Sequence, residues 1–214
     1  ILRIQNIINK TKNKDQKRII EFENVKIDSS DSGGKGGGLH LVRNSSPHLI
    51  DVEITENVSS SIGGGISCED FSIPIIESSN ISSNESNGSF GAGIYSGNGS
   101  APTIINSTIS YNKVKPDFEA SQFVRGIGIY IEYAESVPFT ISNINMTNNS
   151  GESNEDIKGA GIYIKESVGS IDGGTINSSG YCDPSDENCA SPTDGGGIYV
   201  LNSSVTINSI DLLQ

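Results

Sequence analysis

Four tyrosines recur at one place in a repeated phrase, and they are the residues of this chain best placed to do chemistry. Tyr95, Tyr130, Tyr163 and Tyr199 each close a G-x-G-I-Y word. In vertical register they would expose an aromatic stripe, either a stacking platform for sugar rings or a packing face for a partner. The same column could instead only shield its own edges and the sheet beneath. His40 and Ser67 hold the equivalent place in two earlier copies. The acids gather elsewhere: Asp117 and Glu119; Glu152, Glu155 and Asp156; Asp183, Asp186 and Glu187. Such loops offer oxygen ligands to calcium, with a solvated loop as the alternative; no other cofactor or metal is implied. Carbohydrate chemistry on a repetitive β scaffold needs paired carboxylates at a defined spacing, or Asp-bound calcium beside a base. No column stacks Asp beside Arg or Lys. His40 and His48 read as surface residues, so no catalytic residue is nominated.

Two kinds of residue speak to compartment. Cys182 and Cys189 bracket a short loop rich in Pro, Asp and Ser. Their spacing predicts a disulfide, with two unpaired thiols as the alternative; Cys68 reads as a buried small hydrophobe. Twelve of the 21 Asn begin an N-x-[ST] acceptor, where composition alone would give about four. The expected glycan carriers are Asn44, Asn80, Asn87, Asn98, Asn106, Asn145, Asn177 and Asn202. Asn57, Asn84 and Asn148 are expected to be blocked by a structural role. The excess favours a secreted, extracellular or cell-surface product carrying covalent N-glycans.

Something must hold these residues in register. The glycine word stands at Gly36-Gly37-Gly38-Leu39, Gly63-Gly64-Gly65-Ile66, Gly91-Ala92-Gly93-Ile94, Gly126-Ile127-Gly128-Ile129, Gly159-Ala160-Gly161-Ile162 and Gly195-Gly196-Gly197-Ile198. An [IM]-x-x-N word follows at Ile54–Asn57, Ile81–Asn84, Ile109–Asn112 and Met146–Asn149. Pro47, Pro74 and Pro102 stand between the two words at constant spacing, and Pro138 is one residue late. The variation in repeat length falls between the motif Asn and the next glycine word. A constant part with one elastic loop is the pattern of a solenoid whose insertions emerge on one face.

The units carry β-branched residues in short alternations broken by Gly, Pro, Asn and Ser, which excludes helical repeats. The expectation is an all-β, right-handed, single-stranded parallel β-helix of about seven coils with variable loops on one face. Residues 1–35 form an irregular start, or the first coils of the β-helix, and include a basic run (Lys10, Lys12, Lys14, Lys17, Arg18). Residues 36–214 form the repeats, which are expected to continue beyond both ends. Period-two alternation points Leu39, Ile66, Ile94, Ile129, Ile162 and Ile198 inward, with Leu41, Cys68, Ser96, Ile131, Ile164 and Val200 two residues on. The motif Asn is expected at a left-handed bend, its amide bonded along the stack. Glu132 and Lys165 should be neighbours able to pair.

These words resemble the repeat of the polymorphic outer membrane proteins, in which GGA[ILV] and FxxN alternate. Here the words are GGGL, GGGI, GAGI and GIGI with ITEN, ISSN, ISYN and MTNN, over about residues 18 to 214. The resemblance implies a pectate-lyase-like β-helix and a cell-surface or adhesive role, and it carries no catalytic residue. Ala of that word is Gly here, Phe is Ile or Met, and the dense acceptors point to a eukaryotic secretory product.

A net charge of -12 argues against nucleic acid, which demands clustered Lys and Arg. No run reaches the roughly 18 apolar residues of a membrane span. The expected function is a non-enzymatic structural or adhesive glycoprotein, with a subunit of a surface fibre or coat as one variant. Its expected partners are other copies or neighbouring domains stacked along the axis. The alternatives are a polysaccharide lyase, a glycoside hydrolase or a carbohydrate-binding module.

Overall fold

A computed structural model describes residues 2–5, 20–116, 123–152, 157–177 and 196–213. Every regular element among these is a β-strand, and the strands pair in parallel. One repeat shows the plan. Leu39–Val42 lies in the first sheet, His48–Ile50 and Glu53–Thr55 in two rows of the second, and Val58–Ser59 in the third. In the next repeat, Ile66–Cys68, Ile75–Glu77, Asn80–Ser82 and Glu85–Ser86 lie beside them. The register is Leu39 to Ile66, Leu49 to Ile76, Ile54 to Ile81 and Ser59 to Ser86. The first sheet accumulates seven strands this way, from Leu2–Gln5 to Ile198–Leu201. Curled sheets of parallel strands, each one repeat from its neighbour, are consistent with a parallel β solenoid. The register also reaches back before the first glycine word, since Glu21–Glu23 and Lys26–Asp28 pair with His48–Ile50 and Glu53–Thr55.

Four bends close each turn of chain, and each bend is a column of left-handed residues. The first holds Arg43, Asp70, Asn98, Tyr133, Glu166 and Asn202; the second Asn24, Asp51, Ser78, Asn106, Asn143, Gly173 and Ser209. The third holds Ser29, Glu56, Ser83, Tyr111 and Asn148, and the fourth Gly36, Gly63, Gly91, Gly126 and Gly159. Asn and Gly accept this region at little cost, whereas other residues adopt it under tertiary compulsion.

The interior is built by stacking like on like. Leu39, Ile66, Ile94, Ile129 and Ile162 are fully buried, as are Leu41, Cys68, Ser96, Ile131 and Ile164. Ile198 is half-buried and Val200 exposed. Burial pushes the Cys68 thiol pKa up, so it stays a neutral hydrophobe. Pro47, Pro74 and Pro102 each precede a second-sheet strand, and their carbonyls accept from Ile75, Thr103 and Thr140 (2.9–3.1 Å). Phe139 takes the next place in that column, in register with Gly169, and Pro138 slips one residue earlier. Two extra residues separate Gly128 from this column (eleven to Phe139, against nine from Gly93 to Pro102), so Pro138 is late after its glycine yet falls before the column.

The glycine and asparagine words touch one another. Asn57 Nδ2 donates to Asn84 Oδ1 (2.9 Å), Asn84 Nδ2 to Asn112 Oδ1 (3.0 Å) and Asn112 Nδ2 to Asn149 Oδ1 (3.0 Å). Each amide also donates to a core-strand carbonyl, those of Ile27, Ile54, Ile81 and Ile109. A Cβ on Gly38, Gly65, Gly93 or Gly128 would lie 2.9, 3.0, 3.0 or 3.2 Å from the Nδ2 of Asn57, Asn84, Asn112 or Asn149. The last glycine of each word therefore makes room for the ladder. Two expectations are corrected here. The left-handed residue is the one before the ladder Asn. Accordingly Asn148 is an exposed bend residue, and Asn149 is the buried ladder member.

Candidate functional site

The first sheet carries the densest chemistry on its outer face. Its tyrosines form one stack: ring centroids are 5.5 Å apart for Tyr95 and Tyr130, 5.1 Å for Tyr130 and Tyr163, and 5.2 Å for Tyr163 and Tyr199. The planes lie within 9° of parallel. In-register pairing of the parent strands produces this, because identical residues one coil apart must eclipse.

The exposed stripe that the sequence suggests is corrected by what lies over these rings. Tyr95, Tyr130 and Tyr163 are 5%, 2% and 1% exposed, and Tyr199 is half-buried. A second column covers them. Ile62 and Phe90 pack on the cluster, with Phe90 stacked 4.8 Å from Tyr130. The Arg125 guanidinium lies 5.5 Å from the Tyr163 centroid and the Lys158 ammonium 5.5 Å from that of Tyr199. Phe90, Arg125 and Lys158 each stand five residues before the tyrosine of their own repeat, and lean onto the ring of the next. The signal was present in the chain as a fixed offset, but its residue types change from apolar to cationic, so no motif announces it.

Lys35 continues the covering column and finds a carboxylate. Its Nζ donates to Glu69 Oε1 (2.6 Å), and His40 Nε2 lies 3.2 Å from Glu69 Oε2. Glu69 is buried, and its pKa is held below the usual carboxylate range by the His40 contact and by the Lys35 bond and charge, against the desolvation that opposes them. Glu132 occupies the same column two repeats on. It accepts from Tyr95 Oη (2.8 Å) and Tyr130 Oη (3.0 Å). Between them stands Gly97, where any Cβ would strike the Tyr95 hydroxyl. Burial, joined by the Glu132 carboxylate, pushes both phenol pKa values up. Both phenols therefore remain neutral donors.

Most of the charged groups are engaged by their neighbours. Lys165 donates to Tyr133 Oη (3.0 Å) and lies 3.7 Å from Glu166. Glu132 and Lys165, in register, are thus held by different partners rather than by each other. His48, like His40, is half-buried and clamps the following repeat, with Nε2 3.1 Å from Glu77 Oε2. Neither histidine is the free surface residue that the sequence suggests. Ser67 Oγ is buried without a hydrogen-bond partner. Such a face can orient and rigidify, but its two carboxylates are already saturated with donors.

Among the glycan acceptors, Asn44, Asn98, Asn106, Asn145 and Asn202 are exposed, and Asn80, Asn87 and Asn177 are half-buried. Asn44, Asn98, Asn106 and Asn202 have φ between 49 and 60°, at bends outside the strands, and the Asn106 Oδ1 accepts from Asn143 Nδ2 (3.2 Å). Asn57 and Asn84 are locked in the ladder. Cys182 and Cys189 lie outside the described residues, as do Asp117, Glu119, Glu155, Asp156, Asp183, Asp186, Glu187 and the basic run. Glu152 is described, and it pairs with Lys113. Among the described residues no three His, Cys, Asp or Glu gather in a metal-binding arrangement. No protein-family model, curated protein or solved structure matches the chain, so its functional reading rests on its own residues.

Proposed function

We propose that this chain is a non-enzymatic extracellular or cell-surface glycoprotein with a structural or adhesive role. Its fold would be a right-handed, single-stranded parallel β-helix of about seven coils. In that reading it serves as a subunit of a surface fibre or coat, and belongs with the proteins built from the polymorphic outer membrane protein repeat. The contact between the last glycine and the ladder amide supports that kinship, because it gives the two paired words one physical cause.

One observation carries the role. The two carboxylates of the richest face, Glu69 and Glu132, are each held by two neighbouring donors, while acceptor asparagines stand exposed at the bends. A glycan on Asn44, Asn98, Asn106 or Asn202 leaves every strand pairing intact. The stacking partner in this reading is another copy or a neighbouring domain. Exposed Val200, Ile207, Leu212 and Leu213 on Ile198–Leu201 and Ser204–Leu213 support a further row of strands there.

The test is intact mass before and after enzymatic release of N-glycans, on protein from its natural source. The expected result is loss of several glycan masses, with the released sites mapping to Asn44, Asn98, Asn106 and Asn202 and never to Asn57 or Asn84. No change in mass sinks the reading.

A further inference from the structure

Two aromatic side chains stand in solvent at bends, where the fold gives them no burial in return. Phe71 and Tyr111 are 59% and 60% exposed, more than any other aromatic ring among the described residues. Each also holds a left-handed backbone, with φ of 61° and 55°, which a bulky side chain adopts only at a cost. An exposed ring alone is ordinary. Two rings that are strained as well as exposed direct attention to what each one faces.

In both cases the next repeat brings an N-x-[ST] acceptor. Phe71 N donates to Asn98 O (3.1 Å), and a Cβ on Gly99 would lie 2.5 Å from two ring carbons of Phe71. The ring therefore lies against the middle of Asn98-Gly99-Ser100, and it fits because that middle residue is glycine. Tyr111 N donates to Thr147 O (3.0 Å), in a register that pairs Ser110 with Thr147. This sets Tyr111 beside Asn148, one strand spacing of about 4.8 Å away. Asn148 opens the acceptor Asn148-Asn149-Ser150 and is exposed. Its middle residue, Asn149, is buried in the ladder. In both acceptors the middle residue thus leaves the outer side of the bend clear. At the exposed acceptors Asn106 and Asn202 the register instead brings Ser78 and Glu166 from the preceding repeat.

We propose that Asn148 is a glycan carrier, and that Phe71 and Tyr111 are seats for the first sugars of the glycans on Asn98 and Asn148. The inference deepens the glycoprotein reading and rests on it. Transfer forms a bond from Asn148 Nδ2 to the anomeric carbon of an N-acetylhexosamine. It breaks that carbon's bond to a pyrophosphate-linked lipid carrier, which leaves with the electron pair, and one amide proton passes to a base of the transferase. The negative face of an aromatic ring attracts the polarised C–H groups of a pyranose. A sugar lying flat on the ring also removes from water apolar area that the fold leaves exposed. The Tyr111 hydroxyl adds a donor for the sugar's oxygens.

The test uses the chain secreted from cultured eukaryotic cells fed carbon-13 glucose, with each glycan trimmed to its first N-acetylglucosamine. Glycopeptide mass spectrometry reads occupancy. Proton–carbon NMR reads the sugars, assigned with Asn98→Gln, Asn106→Gln, Asn148→Gln and Asn202→Gln. Asn148 should be occupied. The sugars on Asn98 and Asn148 should resonate upfield of those on Asn106 and Asn202, because a ring shields protons lying over its face. Phe71→Ser should return only the Asn98 sugar to the solvated position, and Tyr111→Ser only the Asn148 sugar, so each variant checks the folding of the other. Occupied Asn106 and Asn202 beside a bare Asn148 would overturn the assignment of Asn148. Sugars unshifted in the parent, or unmoved by the serine variants, would overturn the seats. The glycoprotein reading survives either result, whereas a chain bare at every site sinks both. If a serine variant fails to fold, occupancy and shifts in the parent still decide the matter.

Discussion

Asn84→Ala is the sharpest test of how the repeats are held together. Asn84 is 1% exposed. Its Oδ1 accepts from Asn57 N (3.1 Å) and Asn57 Nδ2 (2.9 Å), and its Nδ2 donates to Ile54 O (2.9 Å) and Asn112 Oδ1 (3.0 Å). Truncation removes all four bonds and leaves the Asn57 N–H buried without an acceptor. Three of the bonds contribute about 1 kcal/mol each and the orphaned donor costs about 1–3 kcal/mol, so the loss should be about 4–6 kcal/mol. The assay is equilibrium urea unfolding of unglycosylated protein, with amide hydrogen exchange read at Asn57. The control is Asn145→Ala, an exposed strand position expected to cost under about 0.5 kcal/mol. If Asn84→Ala proves no worse than that control, or leaves exchange at Asn57 unchanged, the ladder does not hold the repeats and the reasoning fails.

Three further outcomes are expected. Gly93→Ala puts a Cβ 2.5 Å from Gly128 O and 3.0 Å from Asn112 Nδ2; both neighbours are fixed, so the melting temperature should fall, with a loss above about 2 kcal/mol. Glu56→Asn, at an exposed bend with φ 57°, should stabilise by up to about 1 kcal/mol in the same unfolding assay, because Asn tolerates the left-handed region that Glu resists. Glu69 has a folded pKa below its unfolded value, so the unfolded state binds its proton first. The stability it contributes is full above the usual carboxylate pKa of about 4.3 and drains away as pH falls through the folded value. Glu69→Gln should therefore flatten the acid limb of the stability–pH curve; an unchanged acid limb would discount the Lys35–Glu69–His40 cluster.

Whatever the backbone repeats was legible in the sequence. Leu39, Ile66, Ile94, Ile129 and Ile162 announce a core column because inward positions tolerate only one residue class. The ladder announces itself because the Asn amide both accepts and donates along the stack at one fixed place in the repeat. What escaped depends on side chains reaching from one repeat to the next. Burial of Tyr130 is decided by Phe90, a residue of the preceding repeat at an offset with no fixed chemistry. The same is true of His40 and His48, whose glutamates lie 29 positions away. The one-residue confusion of Asn148 with Asn149 has a local cause: both are Asn, and only the turn geometry tells the bend from the ladder.

The parallel pairing has a mechanical consequence. The hydrogen bonds between repeats, and the asparagine ladder with them, run across the strands along one common direction. A force pulling the two ends apart in that direction would load successive repeats in series, so the weakest junction gives way first and the chain pays out one turn at a time. A force across it would load the bonds of a strand together in shear. The ladder joins a side-chain row to the backbone rows at each junction from Asn57 to Asn149, and raises the tension each can bear without stiffening the bends. A tether built this way would yield in steps of one repeat and re-zip from any turn left standing.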